Sequence, residues 1–470
     1  MNLIPASQIR SAFARAMSQM YQQEVPLYGE LLDLVQQINQ QELAANPQLS
    51  EALDASDSLQ RLSAERHGAI RVGSARELST LRRLFAVMGM YPVAYYDLTE
   101  AGIPVHSTAF RPLQLEELNA SPFRIFTSLL RLDLIEDPDL RQRAQQLLDA
   151  REIFSDSVLE LIECHEQQQG LDRQQADRFV DAALEIFRWH HQASVDKASY
   201  QRFLNTHRLV ADIVCFRGPH INHLTPRTLN IDRVQQQMSA QQMHPKAIIE
   251  GPPQRRHPIL LRQTSFKALD ESILFVDQQG RQQSGSHTAR FGEIEQRGMA
   301  LTPKGRSLYD RLLQQVRDQV PDPVNHVDEY YRQLQQTFTR FPDDLSEIWQ
   351  QGLGYFRYRA LAESSEPLPV NWQWLIDNAH VRLIPITYED FLPVSAAGIF
   401  QSNLDQRETQ QISRSPNQQS FEQALGCAVV SEFEFYAQIQ AESIAQCLQQ
   451  LGFDRDAAQQ LKQQLEETTG

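Results

Sequence analysis

The sequence predicts an α+β fold in which a central β-barrel, built from two related β-α-β-β-β modules, is wrapped by N-terminal, inserted and C-terminal helices. Three observations predict this fold. A block of strand-like and helix-like runs begins near residue 65, and a similar block begins near residue 221. Short motifs recur in both blocks with nearly constant spacing. Segments outside the blocks carry apolar residues at three- and four-residue steps, which is typical of amphipathic helices.

The recurring motifs are the main support for two related modules. One such match would be chance, whereas three in the same order indicate that residues 65–113 and 221–269 are copies of one unit. The matched pairs are His67-x-x-x-Arg71 with His223-x-x-x-Arg227, Met90-Tyr91-Pro92-x-Ala94 with Met243-His244-Pro245-x-Ala247, and Thr108-x-Phe110 with Thr264-x-Phe266.

The remaining segments give the expected organisation of the chain. Runs such as FTSLLRLDLI and ADRFVDAALEIFRWHH have helical spacing and predict a helical insertion between the modules. The expected divisions are a helical lead-in (1–64), the barrel with its insertion (65–404, with inserted helices near 114–205 and further helices near 306–362), and a polar linker with C-terminal helices (405–470).

Composition excludes some classes of function. The 470 residues carry a formal net charge of −15, which argues against a nucleic-acid binder because such proteins usually present a basic surface. No window reaches the apolar length needed to span a bilayer. The four cysteines lie far apart in the sequence, as expected for free thiols in a reducing compartment. We therefore expect a cytoplasmic protein that binds neither nucleic acid nor membrane.

Two histidines are candidate metal ligands. A single histidine on a strand is most often structural, and either residue alone would be a weak candidate. His67 and His223, however, occupy the same position in the two predicted modules. Packing of the modules about a pseudo-twofold axis would bring them together across a shared cavity. Two neutral imidazoles in such a cavity suit iron, zinc, nickel or copper.

The third ligand is expected to be a carboxylate from the run Phe291-Gly-Glu293-Ile-Glu295. Strand alternation places both glutamates on one face, and the spacing alone does not choose between them. The alternative is an exposed strand on which both glutamates pair with Arg290 and Arg297. Phe291, on that same face, favours an interior, where a carboxylate needs a metal or an arginine.

Two histidines and one carboxylate would form the facial triad of non-haem iron(II) oxygenases. This geometry leaves three adjacent coordination positions open. A 2-oxo acid can occupy two of them through its carboxylate and keto oxygens, and dioxygen can occupy the third. A closed four-ligand zinc site offers no such positions.

Arg71 is the candidate for binding the rest of the substrate. It lies on the same strand face as His67, and its planar guanidinium matches a carboxylate in a two-point contact. It could reach the far carboxylate of a diacid whose oxo-acid end lies on the metal. The alternative is a structural salt bridge to Glu65 or Glu77. The roles of Glu295 and of Arg227 stay open at this point.

Four segments resemble the 2-oxoadipate dioxygenase/decarboxylase family of D-lysine breakdown, also called hydroxyglutarate synthase, which has a vicinal oxygen chelate-like fold. These segments are ERHGAIRVGS, HINHLTPRTLNID, RFGEIEQRGMALTPKGR and YEDFLPVSAAGIF. The resemblance implies iron(II) and the reaction of 2-oxoadipate with dioxygen to give 2-hydroxyglutarate and carbon dioxide. It assigns metal binding to His67 and His223, a catalytic role in substrate binding to Arg71, and the lining of the substrate pocket to Val394 and Ser395.

A more distant resemblance to the hydroxyphenylpyruvate dioxygenases implies which glutamate binds the metal. In that family the metal-binding glutamate is followed, three and four residues later, by Gln-Arg. Glu293 fits this spacing with Gln296 and Arg297, which leaves Glu295 next to the ligands. Two alternatives to the oxygenase are a glyoxalase-like isomerase or lyase that uses zinc or nickel, and a non-catalytic binding protein.

Overall fold

The protein is seen in a computed structural model that describes residues 2–56, 59–99, 102–277, 279–361, 367–392 and 416–469. The described residues form a mixed α+β fold with eleven strands. The strands are β1 (Arg66–Val72), β2 (Tyr91–Asp97), β3 (Val105–Arg111), β4 (Phe123–Leu130), β5 (His223–Pro226), β6 (Leu261–Ser265), β7 (Asp270–Val276), β8 (Gln282–Thr288), β9 (Phe291–Arg297), β10 (Phe356–Ala360) and β11 (Val381–Pro385).

Eighteen α-helices are described around these strands, and none of them is long and apolar enough to cross a membrane. They are α1 (Ala6–Glu24), α2 (Pro26–Ala45), α3 (Pro47–Ala55), α4 (Ala75–Val87), α5 (Leu115–Ala120), α6 (Pro138–Asp149), α7 (Asp156–Gln168), α8 (Arg173–Leu184), α9 (Lys197–Thr206), α10 (Arg208–Val214), α11 (Ile231–Ala240), α12 (Pro303–Gln319), α13 (Val327–Phe338), α14 (Leu345–Gln350), α15 (Trp372–Asp377), α16 (Pro416–Leu425), α17 (Glu432–Gln450) and α18 (Arg455–Thr469).

Seven strands form one sheet in the order β2-β3-β4-β1-β5-β9-β6. The order of the described strands is linear, with β2 and β6 at the edges, so the predicted barrel is not closed by the described strands. The sheet is a curled half-barrel. At its centre β1 pairs in parallel with β4 and antiparallel with β5, and β5 pairs in parallel with β9. This order places strands from the two predicted modules side by side.

The two predicted modules differ in their described elements. The first runs from β1 through α4, β2 and β3 to β4. In the second, β5, α11 and β6 are followed by the β7–β8 hairpin before β9, and residues 245–250 contribute only the isolated bridges Pro245↔Phe266 and Glu250↔Gln263. The origin of both segments from one duplicated unit stays a prediction.

The predicted helix over residues 126–135 is wrong. Residues up to Leu130 belong to β4, and Leu132–Leu134 form a short 3-10 turn. All eight residues of β4 are buried, because the strand lies between β1 and β3 with both faces covered. A strand of this kind is apolar along most of its length and lacks the alternation that marks a half-exposed strand. Of the helices within the predicted span near 114–205, α5 therefore lies before β4, and the others begin at α6. Near 306–362, the predicted helices end at α14, and β10 follows.

The two faces of the central sheet have different chemistry. One face carries side chains such as Ile70, Leu224 and Ile294, which belong to one apolar core with the N-terminal helices α1 and α2. Side chains alternate between the two faces along each strand. The other residues of the same strands, including His67 and Glu293, therefore point to the opposite face. That face holds buried polar and charged side chains. The fold therefore places the candidate ligands on a buried polar surface.

Candidate metal centre

Three neighbouring strands supply the candidate metal ligands. His67 lies on β1, His223 on β5 and Glu293 on β9, and all three side chains are fully buried. One ligand atom from each residue lies within 4.8 Å of the others. The structure thus brings together the three residues that the sequence predicts to converge.

One carboxylate oxygen, Oε2 of Glu293, lies close to both histidines. It lies 3.2 Å from Nε2 of His67 and 3.6 Å from Nε2 of His223. The two imidazole rings are nearly perpendicular, at 88°, with their centres 5.7 Å apart. Both histidines therefore present Nε2 toward the same carboxylate.

The cluster leaves polar atoms without partners. Both ring nitrogens of His223 and Oε1 of Glu293 are buried with no hydrogen bond to any described residue. Such atoms are costly in a protein interior, and buried polar groups without partners are uncommon. Two imidazoles and one carboxylate are a donor set that suits a divalent transition metal. The residues therefore fit the metal that the sequence predicts, although the binding of a metal stays a prediction.

The charge state of His223 also suits metal binding. Burial lowers the pKa of His223 well below its usual range, and the nearby His67 and Arg71 lower it further. The imidazole is consequently neutral at physiological pH. The neutral form carries the lone pair that a metal ligand needs.

Two neutral side chains orient the candidate glutamate. Oε2 of Glu293 accepts hydrogen bonds from Oγ1 of Thr225 at 2.9 Å and from Nε2 of Gln263 at 3.1 Å. Neither residue is among the site residues that the sequence predicts. Thr225 could have been found, because it lies two residues after His223 and so shares its strand face. Gln263 gives no such signal, since it comes from the separate strand β6.

Glu295 lies on the other side of His67 from Glu293. Its Oε2 is 3.0 Å from Nδ1 of His67, and Arg297 donates to both of its oxygens at 2.7 and 2.9 Å. Burial alone would raise the pKa of Glu295, but Arg297 and His67 hold it at about 2. A carboxylate on the far nitrogen of a ligating histidine fixes the orientation of the ring. Glu295 fits this supporting role, and Glu293 fits the role of ligand.

The alternative of an exposed strand is wrong. Both glutamates of β9 are completely buried. Arg297 does pair with Glu295, but Arg290 instead forms ion pairs with Glu24 and Glu271. Glu293 is therefore left without an arginine partner among the described residues, as a metal ligand should be.

We expect Glu295→Gln to weaken metal binding by about 10- to 100-fold, since supporting partners of ligating histidines typically contribute that much. Metal affinity can be measured by competition with a chelator. Glu271→Gln is the matched control, because it removes a carboxylate from an arginine pair outside the cluster. Equal metal affinity in Glu295→Gln and wild type would contradict the supporting role.

Arg71 lies on the same face of β1 as His67 and is buried. Its Nη1 donates to Oδ2 of Asp212 at 2.6 Å. The alternative partners proposed from the sequence are wrong, because Glu65 pairs with Arg124 and Arg227, and Glu77 pairs with Arg151.

Arg227, at the matching position of the second module, is thus tied to Glu65 at 2.9 Å. The two arginines differ in this respect, since Arg71 faces Asp212.

Val394 and Ser395 lie outside the described residues.

An aromatic side chain lies against the candidate ligands. The ring of Phe391 meets His67 edge to face, with centres 4.8 Å apart, and also contacts Phe126 at 5.4 Å. Phe391 is fully buried. The two phenylalanines make this side of the cluster apolar and reduce the access of water to His67.

This chain is similar over most of its length to proteins of one family. The family model for 2-oxoadipate dioxygenase/decarboxylase matches residues 13–403. The 2-oxoadipate dioxygenase/decarboxylase of Pseudomonas putida is 55% identical over 458 residues, which cover 96% of this chain and 98% of that protein. The protein of the same name from Escherichia coli is 54% identical over 456 residues, which cover 95% and 99% of the two chains.

A solved structure is similar over nearly the same length. The crystal structure of the hydroxyglutarate synthase from Pseudomonas putida in complex with 2-oxoadipate superposes with a TM-score of 0.90 at 54% sequence identity. The match covers 96% of this chain and all of that chain. With the family model and the close relatives, this similarity shows that the chain belongs to the 2-oxoadipate dioxygenase/decarboxylase family of enzymes.

Proposed function

We propose that this chain uses iron(II) bound by His67, His223 and Glu293 to convert 2-oxoadipate and dioxygen into 2-hydroxyglutarate and carbon dioxide. The observation that carries the proposal is the buried cluster of these three residues, with its unpartnered nitrogen and oxygen atoms. The atoms of the reaction balance, since one carbon leaves as carbon dioxide and both atoms of dioxygen enter the remaining product.

Iron(II), when bound, would hold the 2-oxo acid and activate dioxygen. Among the described residues, three side chains would bind the metal, so coordination positions would stay open for both reactants. Thr225 and Gln263 hold the Glu293 carboxylate in place. Phe391 and Phe126 exclude water beside His67, which strengthens electrostatic interactions within the site.

Arg71 is proposed to bind the distal carboxylate of the substrate. Its position on the same face as His67, four residues further along β1, supports this role. Four residues of a strand extend about 13 Å, so a long side chain is needed for Arg71 to approach a molecule held at the metal. Val394 and Ser395 are proposed to line the same pocket, on the strength of the family resemblance.

We also propose that the half-barrel derives from two related modules. The adjacency of β1 and β5, which carry the two histidines, supports this origin. Superposition of residues 65–113 on residues 221–269 tests it. We expect the two segments to share the same strand–helix–strand topology. Unrelated topologies would contradict their common origin.

The test of the reaction is oxygen consumption by protein that is purified without oxygen and loaded with iron(II). We expect uptake of dioxygen with 2-oxoadipate, matched by release of carbon dioxide and formation of 2-hydroxyglutarate. The panel of substrates should include 2-oxohexanoate, which has the same number of carbons but a methyl group in place of the distal carboxylate. We expect 2-oxohexanoate to react more slowly than 2-oxoadipate. Turnover by the zinc or nickel form without dioxygen would instead support the glyoxalase-like alternative.

A further inference from the structure

Asp212 is a buried carboxylate that the proposed mechanism has not used. It lies on α10, within the helical segment between the two predicted modules, and its side chain is 4% exposed. It occupies the last turn of this short helix, where the negative end of the helix dipole disfavours a carboxylate. Its position is therefore explained by its tertiary partners and not by local helix preference.

The partners of Asp212 come from three separate parts of the chain. Oδ2 accepts from Nη1 of Arg71 at 2.6 Å and from the side-chain amide of Asn222 at 3.4 Å. Oδ1 lies 2.9 Å from Nε2 of His287, on β8, and 3.3 Å from Nε2 of His220. Burial alone would raise the pKa of Asp212, but His220 and Arg71 hold it well below its usual range. The carboxylate is thus ionised and has partners on both oxygens.

Of the two histidines that contact Asp212, His287 is itself held firmly. Nδ1 of His287 lies 2.9 Å from the hydroxyl of Tyr200. Its ring stacks on Trp189 at 11° and lies 4.8 Å from the ring of Phe216. With these contacts the Asp212 carboxylate has little freedom to rotate. The Asp212 carboxylate therefore holds the Arg71 guanidinium in a fixed position.

We propose that Asp212 is a positioning residue that aims the Arg71 guanidinium at the distal carboxylate of the 2-oxo diacid. Asp212 itself is not expected to touch the substrate. The inference rests on the proposed function, since it gives Arg71 a diacid to bind. It follows from the general requirement that a binding group be held in its productive orientation by neighbouring side chains. Selectivity for a diacid then depends on a helix that lies outside both modules.

The test compares Asp212→Asn with wild type on 2-oxoadipate and on 2-oxohexanoate. We expect KM for 2-oxoadipate to rise about tenfold or more, while kcat changes less and kcat/KM for 2-oxohexanoate stays within about twofold of wild type. The ratio of kcat/KM for diacid over monoacid should fall accordingly. Binding of 2-oxoadipate, measured by calorimetry without oxygen, should weaken by a similar factor, with iron content unchanged.

Two controls separate positioning from a general effect. Asp232→Asn removes a different aspartate–arginine pair, with Arg262 on β6, and should leave the diacid-to-monoacid ratio unchanged. In an Arg71→Ala background, Asp212→Asn should cause no further fall in the ratio, because Asp212 acts through Arg71.

Two results would overturn the inference. One is an unchanged ratio in Asp212→Asn. The other is an equal loss with both substrates, which would show that Asp212 supports the fold and not the orientation of Arg71. Failure of the wild-type chain to oxidise 2-oxoadipate would instead overturn the proposed function, so the two failures are distinguishable.

Discussion

Glu293→Ala should abolish metal binding and reduce turnover of 2-oxoadipate by at least about a thousandfold. A bound metal contributes several kcal/mol to catalysis, and each 1.4 kcal/mol or so corresponds to a factor of ten. Glu293 supplies the only carboxylate in the cluster with the two histidines among the described residues. Its loss leaves two imidazoles, which hold a divalent ion far less firmly. Iron content by elemental analysis and initial rates of oxygen uptake are the measurements.

Melting temperatures give an independent measure of metal binding in the same variant. Iron(II) should raise the melting temperature of the wild-type protein, because a ligand that binds only the folded state stabilises it. It should not raise that of Glu293→Ala. Glu166→Gln, which alters a partly exposed ion pair with Arg83, should behave as wild type. Normal iron content in Glu293→Ala would show that the metal site lies elsewhere.

Arg71→Ala should lower kcat/KM for 2-oxoadipate by roughly thirty-fold or more, mainly through KM. Removing one partner of a buried charge pair costs about 2–5 kcal/mol, which corresponds to at least that factor. Arg71→Lys should also be harmful, because an ammonium group cannot make the two-point contact of a guanidinium. Iron content should stay near that of the wild type, since Arg71 does not belong to the ligand cluster.

The monoacid 2-oxohexanoate separates a lost clamp from a damaged fold. Arg71→Ala also leaves Asp212 without its cation, and this change can lower stability. A lost clamp affects the diacid selectively, whereas a damaged fold lowers turnover of both acids alike. Arg227→Ala is the control at the matching position, and its diacid-to-monoacid ratio should equal that of the wild type. Normal kinetics in Arg71→Ala would contradict the assigned role.

The sequence was sufficient to bring the candidate ligands together because they lie on strands with clear local patterns. His67 and His223 occupy neighbouring antiparallel strands, as the repeated motif predicts. The alternation of β9 places Glu293 and Glu295 on one face, but their separate roles depend on which side of His67 each carboxylate lies. That distinction came from a family resemblance at the sequence level and from distances in the structure.

Other features could not be predicted, for identifiable physical reasons. β4 has no alternation of polar and apolar residues because both of its faces are buried, so its apolar run alone predicts a helix. Asp212 lies 141 residues from Arg71 in the sequence, and no local pattern indicates so distant a partner. The Gln263 contact has the same origin, since β6 reaches Glu293 only through sheet pairing. Long-range pairing of polar side chains is thus what the sequence alone leaves undetermined.

The most direct test of the central claim follows the oxygen atoms of the reaction. The iron-loaded chain is supplied with 2-oxoadipate and isotopically labelled dioxygen in ordinary water, and the products are examined by mass spectrometry. We predict that 2-hydroxyglutarate carries label from dioxygen while the released carbon dioxide carries none, because the carbon dioxide retains the original carboxylate oxygens. Unlabelled 2-hydroxyglutarate, or product formed at the same rate without dioxygen, would contradict the account.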